Sequence, residues 1–203
     1  MEINSTHKMK LDYLKELSNI GAGNALMALS EYTKAQFLMD VPKISFLDIK
    51  DIPNIFGDPE ELIIGTLSFL ENDIRGIILF VQNLGAAEGL YSMFGETLKI
   101  DVNNAVLEDE EREKLIRTGR IMFDSYFNAL ATMLNLNIGV SDPKISIDMA
   151  GAILSVPATE YGKYSDTVLI IDSVFKTKDQ EFNGFILMIP DSVSFDKLFK
   201  IFM

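Results

Sequence analysis

The chain has 203 residues, 48% of them hydrophobic and 24% charged, with a formal net charge of −12 and no cysteine. This is a globular composition with room for one sizeable core or two small ones, and without cysteine there is no disulfide, thiolate metal site or thiol nucleophile. The negative charge disfavours nucleic acid and anionic membrane, both polyanions, and favours a partner with a cationic face.

The stretch Met1 to Lys10 is polar and lacks the apolar run of a signal peptide. Apolar runs such as Ile77 to Val81 are strand-sized, far short of the ~20 residues that span a membrane. A cytoplasmic protein is expected. His7, the single histidine, precedes the first helix near the chain end, where a catalytic role is not expected. Residues 9–38 place Leu11, Leu14, Leu17, Ile20, Leu26 and Leu29 at helical spacing, and Pro42 excludes further helix. Ile44 to Ile49 reads as a strand. After a turn at Pro59-Glu60, the strands Glu61 to Leu70 and Ile74 to Val81 flank the turn residues Asn72-Asp73, so 61–81 reads as a hairpin. A short helix over about 84–94 closes at Gly95. The acidic stretch 108–113 opens a second long helix, about 108–137, where carboxylates suit the helix dipole. Strands are expected near 144–155, 165–176 and 183–189, followed by a closing helix from 192 with Phe195, Leu198, Phe199 and Phe202 as core residues.

The chain repeats itself. Pro-Lys-Ile-Ser occurs at 42–45 and again at 143–146, an offset of 101 that also places Leu14 on Leu115, Ile20 on Ile121, Ala28 on Ala129 and Leu29 on Leu130. A second echo, Arg75 to Leu79 against Asn183 to Leu187, runs at offset 108. The seven extra residues are expected as a loop insertion around 156–166. The reading is a single α+β domain over 1–203, with repeat one at about 9–95 and repeat two at about 108–203. A pseudo-two-fold duplicated helix-strand-strand-strand-helix unit would form one largely antiparallel six-stranded sheet with packed helices.

On the first long helix Asp12, Glu16, Asn19 and Gly23 stand at i, i+4, i+7 and i+11 and share one face, away from Leu14 and Leu17. The following Gly21-Ala22-Gly23-Asn24 places two glycines inside a helix, each costing ~1 kcal/mol relative to Ala, and an Asn whose amide competes for backbone hydrogen bonds. Either another element packs very close here or a partner approaches. By itself a polar stripe is most often a solvated surface.

The spacing Asp12-x3-Glu16-x2-Asn19, followed by twenty-two residues and Pro42, resembles the pattern of the CheC family. The contexts Glu16 to Asn24 and Ser146 to Ile153 are similar to that family as well. The resemblance implies a phosphatase for the aspartyl-phosphate of the chemotaxis response regulator CheY, with Glu16 and Asn19 as catalytic residues and Asp12, Gly23 and Pro42 as substrate-docking positions. It further implies that Asn19 orients the attacking water and that Glu16 docks on a CheY lysine. No cofactor or metal of its own is expected, the Mg²⁺ being supplied by CheY. Asp148 lies where relatives can carry a surface for the receptor-modifying partner CheD.

At offset 101 the counterparts of Asp12, Glu16 and Asn19 are Glu113, Arg117 and Arg120. Arginine cannot accept a hydrogen bond from water or pair with a lysine, so this second site reads as degenerate. Glu113/Arg117 and Arg120/Asp124 are expected as i, i+4 ion pairs instead. Two other readings compete with the phosphatase: a non-catalytic module that binds phosphorylated response regulator or CheD, and a switch or adaptor component. An accessible Asn19 amide beside Glu16 is required by the first reading only. Hydrolase elbows, Walker sequences and zinc-like histidine spacings are absent from the sequence.

Overall fold

The computed structural model describes residues 5–34, 38–39, 43–55, 57–93, 95–101, 105–161, 167–176 and 181–201. In chain order the elements are α1 (Ser5–Thr33), β1 (Leu38–Met39), β2 (Lys43–Asp48), a 3-10 helix (Ile49–Asn54), β3 (Leu62–Asn72), β4 (Gly76–Asn83) and α2 (Leu84–Met93). There follow β5 (Ile100–Asp101), β6 (Val106–Leu107), α3 (Asp109–Leu134), β7 (Ile138–Val140), β8 (Lys144–Met149), α4 (Ala150–Tyr161), β9 (Thr167–Lys176), β10 (Glu181–Pro190) and α5 (Ser192–Ile201). The fold is mixed α/β, with every strand pairing antiparallel.

The main sheet has eight strands where six were expected. The additional two are short pieces beside longer ones: β1 and β2 both pair with β9, and β7 and β8 both pair with β3. The order β1-β9-β10-β4-β3-β7 therefore reads alike from either edge. At its centre β4 pairs with β10 from Gly76↔Pro190 to Gln82↔Gly184. Leu79 faces Leu187 there, the residue 108 positions later in the chain. β5 and β6 form a separate two-stranded ladder that the sequence reading did not contain.

Residues 76 to 82 of β4 are all buried, because both faces of the sheet are covered. Ile78, Phe80, Ile186 and Met188 point into a core shared with α1, α2, α3 and α5. The alternate residues Ile77, Leu79, Val81, Leu187 and Ile189 pack against the 3-10 helix and α4. This period of two gives one central strand pair to two cores.

Three expected boundaries move. The first helix ends at Thr33 rather than 38, where Lys34 takes a left-handed φ of 57°. The strand expected over 144–155 stops at Met149, and α4 follows. Ala150, Ile153, Leu154 and Pro157 are buried at i, i+3, i+4 and i+7, a helical stripe rather than an alternating one. Two free N–H groups at the start of α4 are satisfied from outside: Ala150 donates to Glu61 O at 2.8 Å and Gly151 to Pro59 O at 2.9 Å. The insertion expected as a loop around 156–166 is thus helical to Tyr161, and 162–166 lie outside the described residues.

The glycine problem in α1 resolves differently at its two positions. A methyl group built on Gly21 would lie 2.7 Å from Cε2 of the buried Tyr126 ring on α3. Close packing of α3 therefore requires a glycine at this position. Gly21→Ala is expected to destabilise by about 1–3 kcal/mol through overpacking, read from urea unfolding midpoints.

Asp73 ties three distant segments at one end of the sheet. Its carboxylate accepts from Lys197 Nζ on α5 at 2.5 Å and from the backbone N–H of Asn137 at 2.8 Å. The Lys197 hydrogen bond, then that of Asn137, holds its carboxyl below the ordinary 3.8. A carboxyl depressed in the folded state stabilises above its unfolded value and loses that contribution as pH falls through its folded value. Asp73→Asn should accordingly lower the urea midpoint at pH 7. That gap from the natural protein should shrink as the pH is taken below the ordinary aspartate range; a gap that persists there would rule out the charge as its source.

Candidate functional site

The candidate strip lies on helix α1, whose other face is committed to the core. Leu17, Ser18, Ala22, Ala25, Leu26 and Leu29 turn inward, leaving Glu16 exposed and Asn19 and Gly23 partly exposed on one surface strip. Asp12 lies on the same helix at the spacing of that strip, but its side chain falls outside the described residues, as does Pro42. The structure thus brings Glu16, Asn19 and Gly23 together.

Asn19, whose amide the phosphatase reading requires to be accessible, is partly exposed beside Glu16, but its amide oxygen is not. Its Oδ1 is enclosed and has no hydrogen-bond partner. An enclosed unpaired acceptor costs about 1–3 kcal/mol, so this oxygen does not serve the stability of the fold. Next to it Ser18 is buried at 3% exposure and faces the phenol of Tyr126. Burial pushes that phenol up to about 12, and Ser18 opposes part of the shift. The Tyr126 hydroxyl nevertheless lacks a partner of hydrogen-bonding geometry. Tyr126, which the sequence reading did not single out, is the support beneath the site: its ring fixes α1 at Gly21, two residues beyond Asn19. The contact joins residues 105 apart, and no local pattern signals it.

Beside the strip, α1 and α3 diverge into a groove of about 580 Å³, lined among others by Ile20, Asn24, Met27, Ser125 and Met133. Asn24 turns its amide back onto its own helix, Nδ2 donating to Ile20 O at 2.8 Å. This is how an asparagine is accommodated inside a helix.

The α3 face expected as a degenerate second site has other contacts than those expected. Glu113, Arg117 and Arg120 are exposed on α3, but the i, i+4 pairs are not the contacts observed. Arg120 instead binds Asp142 at 2.7 Å, and Arg117 donates to the hydroxyl of Tyr32 on α1 at 2.9 Å. A long guanidinium reaches a better-placed acceptor on a neighbouring segment than along its own helix. Asp142 precedes Pro143, whose ring lies 3.5 Å from a methyl group built on Gly119. The face is thereby tied to the connection leading into β8.

Asp148 is exposed at the end of β8, its Oδ1 accepting from Met149 N at 2.8 Å. It lies along the β3 side of the sheet, whereas β2, which leads from α1, lies along β9 at the opposite side. The structure does not bring it to the α1 strip. Among the described residues no helix is long and apolar enough to cross a membrane.

With the architecture and the surface strip described, comparison with known proteins says what the chain is similar to. The sequence model of the CheC-like family matches residues 9–46, the segment that contains the strip. The chain is 27% identical over 198 residues to the CheY-P phosphatase CheC of Bacillus subtilis (strain 168), covering 97% of this chain and 95% of that one. It is 20% identical over 186 residues to the putative CheY-P phosphatase CheC1 of Halobacterium salinarum, covering 92% of each. The solved structure of Thermotoga maritima FliY superposes with a TM-score of 0.73 at 16% identity, covering 100% of this chain and 98% of that one. The FliM middle domain of H. pylori gives 0.64 at 8% identity, covering 96% of this chain and 98% of that one. These two share the fold. The similarity to the Bacillus subtilis protein extends over nearly the whole chain, whereas the family model matches only residues 9–46.

The contacts of Arg117 and Arg120 are exposed, and exposed pairs contribute little. Arg117→Ala and Arg120→Ala should each change stability by less than about 1 kcal/mol, checked by urea unfolding; a larger loss would mean that the α3 face holds the helix pair together.

Proposed function

We propose that this chain is a phosphatase that hydrolyses the aspartyl-phosphate of a CheY-type response regulator. The observation that carries the reading is the strip itself. Glu16 and Asn19, at the family spacing, share an outward surface of α1 inside the segment matched by the family. The water oxygen bonds to phosphorus as the bond from phosphorus to the aspartyl oxygen breaks. The products are aspartate and inorganic phosphate, with the water protons leaving on phosphate or to solvent. Such a reaction needs positioning and charge stabilisation more than covalent chemistry.

An amide donates and accepts at once, so Asn19 would hold the water in line with the leaving carboxylate. Its enclosed Oδ1 becomes available if the amide turns outward as the partner docks. Glu16 would pair with a partner lysine through a charge-assisted hydrogen bond. Asp12 and Pro42 would border the docked partner. Any Mg²⁺ belongs to the partner.

A second reading, a non-catalytic module for phosphorylated regulator, is favoured by the same enclosed amide. It would keep Glu16 for docking and dispense with Asn19 chemistry. A separate CheD contact is proposed at Asp148, beside which Met149 is 46% exposed. We infer also that the chain is a single duplicated domain. Support comes from Leu79 facing Leu187 and from α2 and α5, which begin at 84 and 192, the same offset of 108.

The test is loss of phosphate from CheY charged by a small phosphodonor in Mg²⁺. The natural protein should accelerate it. Asn19→Ala should reduce kcat by about 10²-fold or more, as when one transition-state positioning group is removed, while Glu16→Ala should chiefly raise KM. No acceleration with intact binding would overturn the phosphatase in favour of the binding module.

A further inference from the structure

Gly23 occupies the middle of the 29-residue helix α1, yet nothing inside the described structure requires a glycine there. Unlike Gly21, it has no atom within 4 Å of a methyl group built on it. Nor does its backbone call for one, since the glycines of positive φ are Gly57, Gly76 and Gly95. A helix-interior glycine exposes backbone and loses conformational entropy on folding, and here neither cost is offset by an internal contact. Gly23 lies one turn beyond Asn19 on the same strip. One turn further stands Met27, 57% exposed, a flexible apolar side chain at the edge of the α1–α3 groove.

We propose that the bare backbone at Gly23 is a seat for the partner's own backbone, setting the depth at which a phosphorylated receiver domain rests against Asn19. This deepens the phosphatase reading and rests on it for the identity of the partner. The seat specifies a partner chemistry. A cationic group stands over Glu16, and a turn of small residues lies flat on Gly23. An apolar margin meets Met27, which can repack around it. A side chain at 23 would lift the partner by its own length. Small displacements of reacting groups have large consequences: about 1 Å costs about 10²-fold in rate.

Stability and function should therefore move in opposite directions. Gly23→Ala is expected to raise the thermal midpoint by about 2–4 °C, since the helix gains a better former, while lowering kcat/KM for phosphorylated CheY. Gly23→Leu should fold normally and lose on the order of 10²-fold in kcat/KM, with kcat falling because the partner is displaced and KM rising because the complex is weaker. A merely structural glycine would not produce a more stable protein with a weaker partner complex. If the natural protein accelerates phosphate loss and Gly23→Leu does so equally well, the seat is overturned and the phosphatase stands. If the natural protein shows no turnover, binding of CheY activated with beryllofluoride decides. Weaker binding by Gly23→Leu supports the seat without the phosphatase, whereas equal binding, or none by the natural protein, overturns the seat.

Discussion

Strand β4 hydrogen-bonds to β10 along most of its length, and the rest of the molecule depends on that join. Each half of the chain, taken alone, would leave an apolar strand edge open to solvent and to other chains. Together the two edges close on each other, and residues 76–82 of β4 and 186–190 of β10 are buried. Their alternating side chains feed two separate cores. One core receives the long helices and the other receives α4 and the 3-10 helix. A strand pair covered on both faces needs unbroken apolar sequence, which is what Gly76 to Val81 and Gly184 to Ile189 supply.

The placement of α1 follows. With its inner face held against the sheet core and Tyr126 seated on Gly21, the helix has little freedom to rotate, so its outer strip faces a constant direction. On the proposed reading such a support fixes the backbone that carries Asn19, while the amide itself turns as the partner docks. The enclosed, unpaired Oδ1 of Asn19 is the kind of local cost that accumulates where a surface serves something other than its own stability.

The two long helices differ in their outer faces while both pack into the same core. On α3 the strip carries arginines tied to Asp142 and Tyr32. On α1 it carries Glu16, Asn19 and a bare Gly23. One face is committed to internal contacts and the other is left open. The two helices thus present unlike outer faces although the sheet order reads alike from both edges.

By itself the sequence determined the helix α1 and the strip upon it, because helical spacing is a local property that Leu17, Leu26 and Leu29 mark on one side and Glu16 and Asn19 on the other. It determined the β3–β4 hairpin through Asn72-Asp73, and its echoes placed Leu79 and Leu187 at equivalent positions. It did not reveal α4: the strand was read on to 155, past Met149, where the helical stripe of Ala150, Ile153 and Leu154 begins. Only the tertiary structure decided that Gly21 is filled by Tyr126 while Gly23 faces open space, that the Asn19 oxygen is enclosed, and that Arg120 turns to Asp142. Each of these depends on residues distant in sequence that arrive through the packing of α3 and the sheet, and local spacing carries no information about which neighbour will be there.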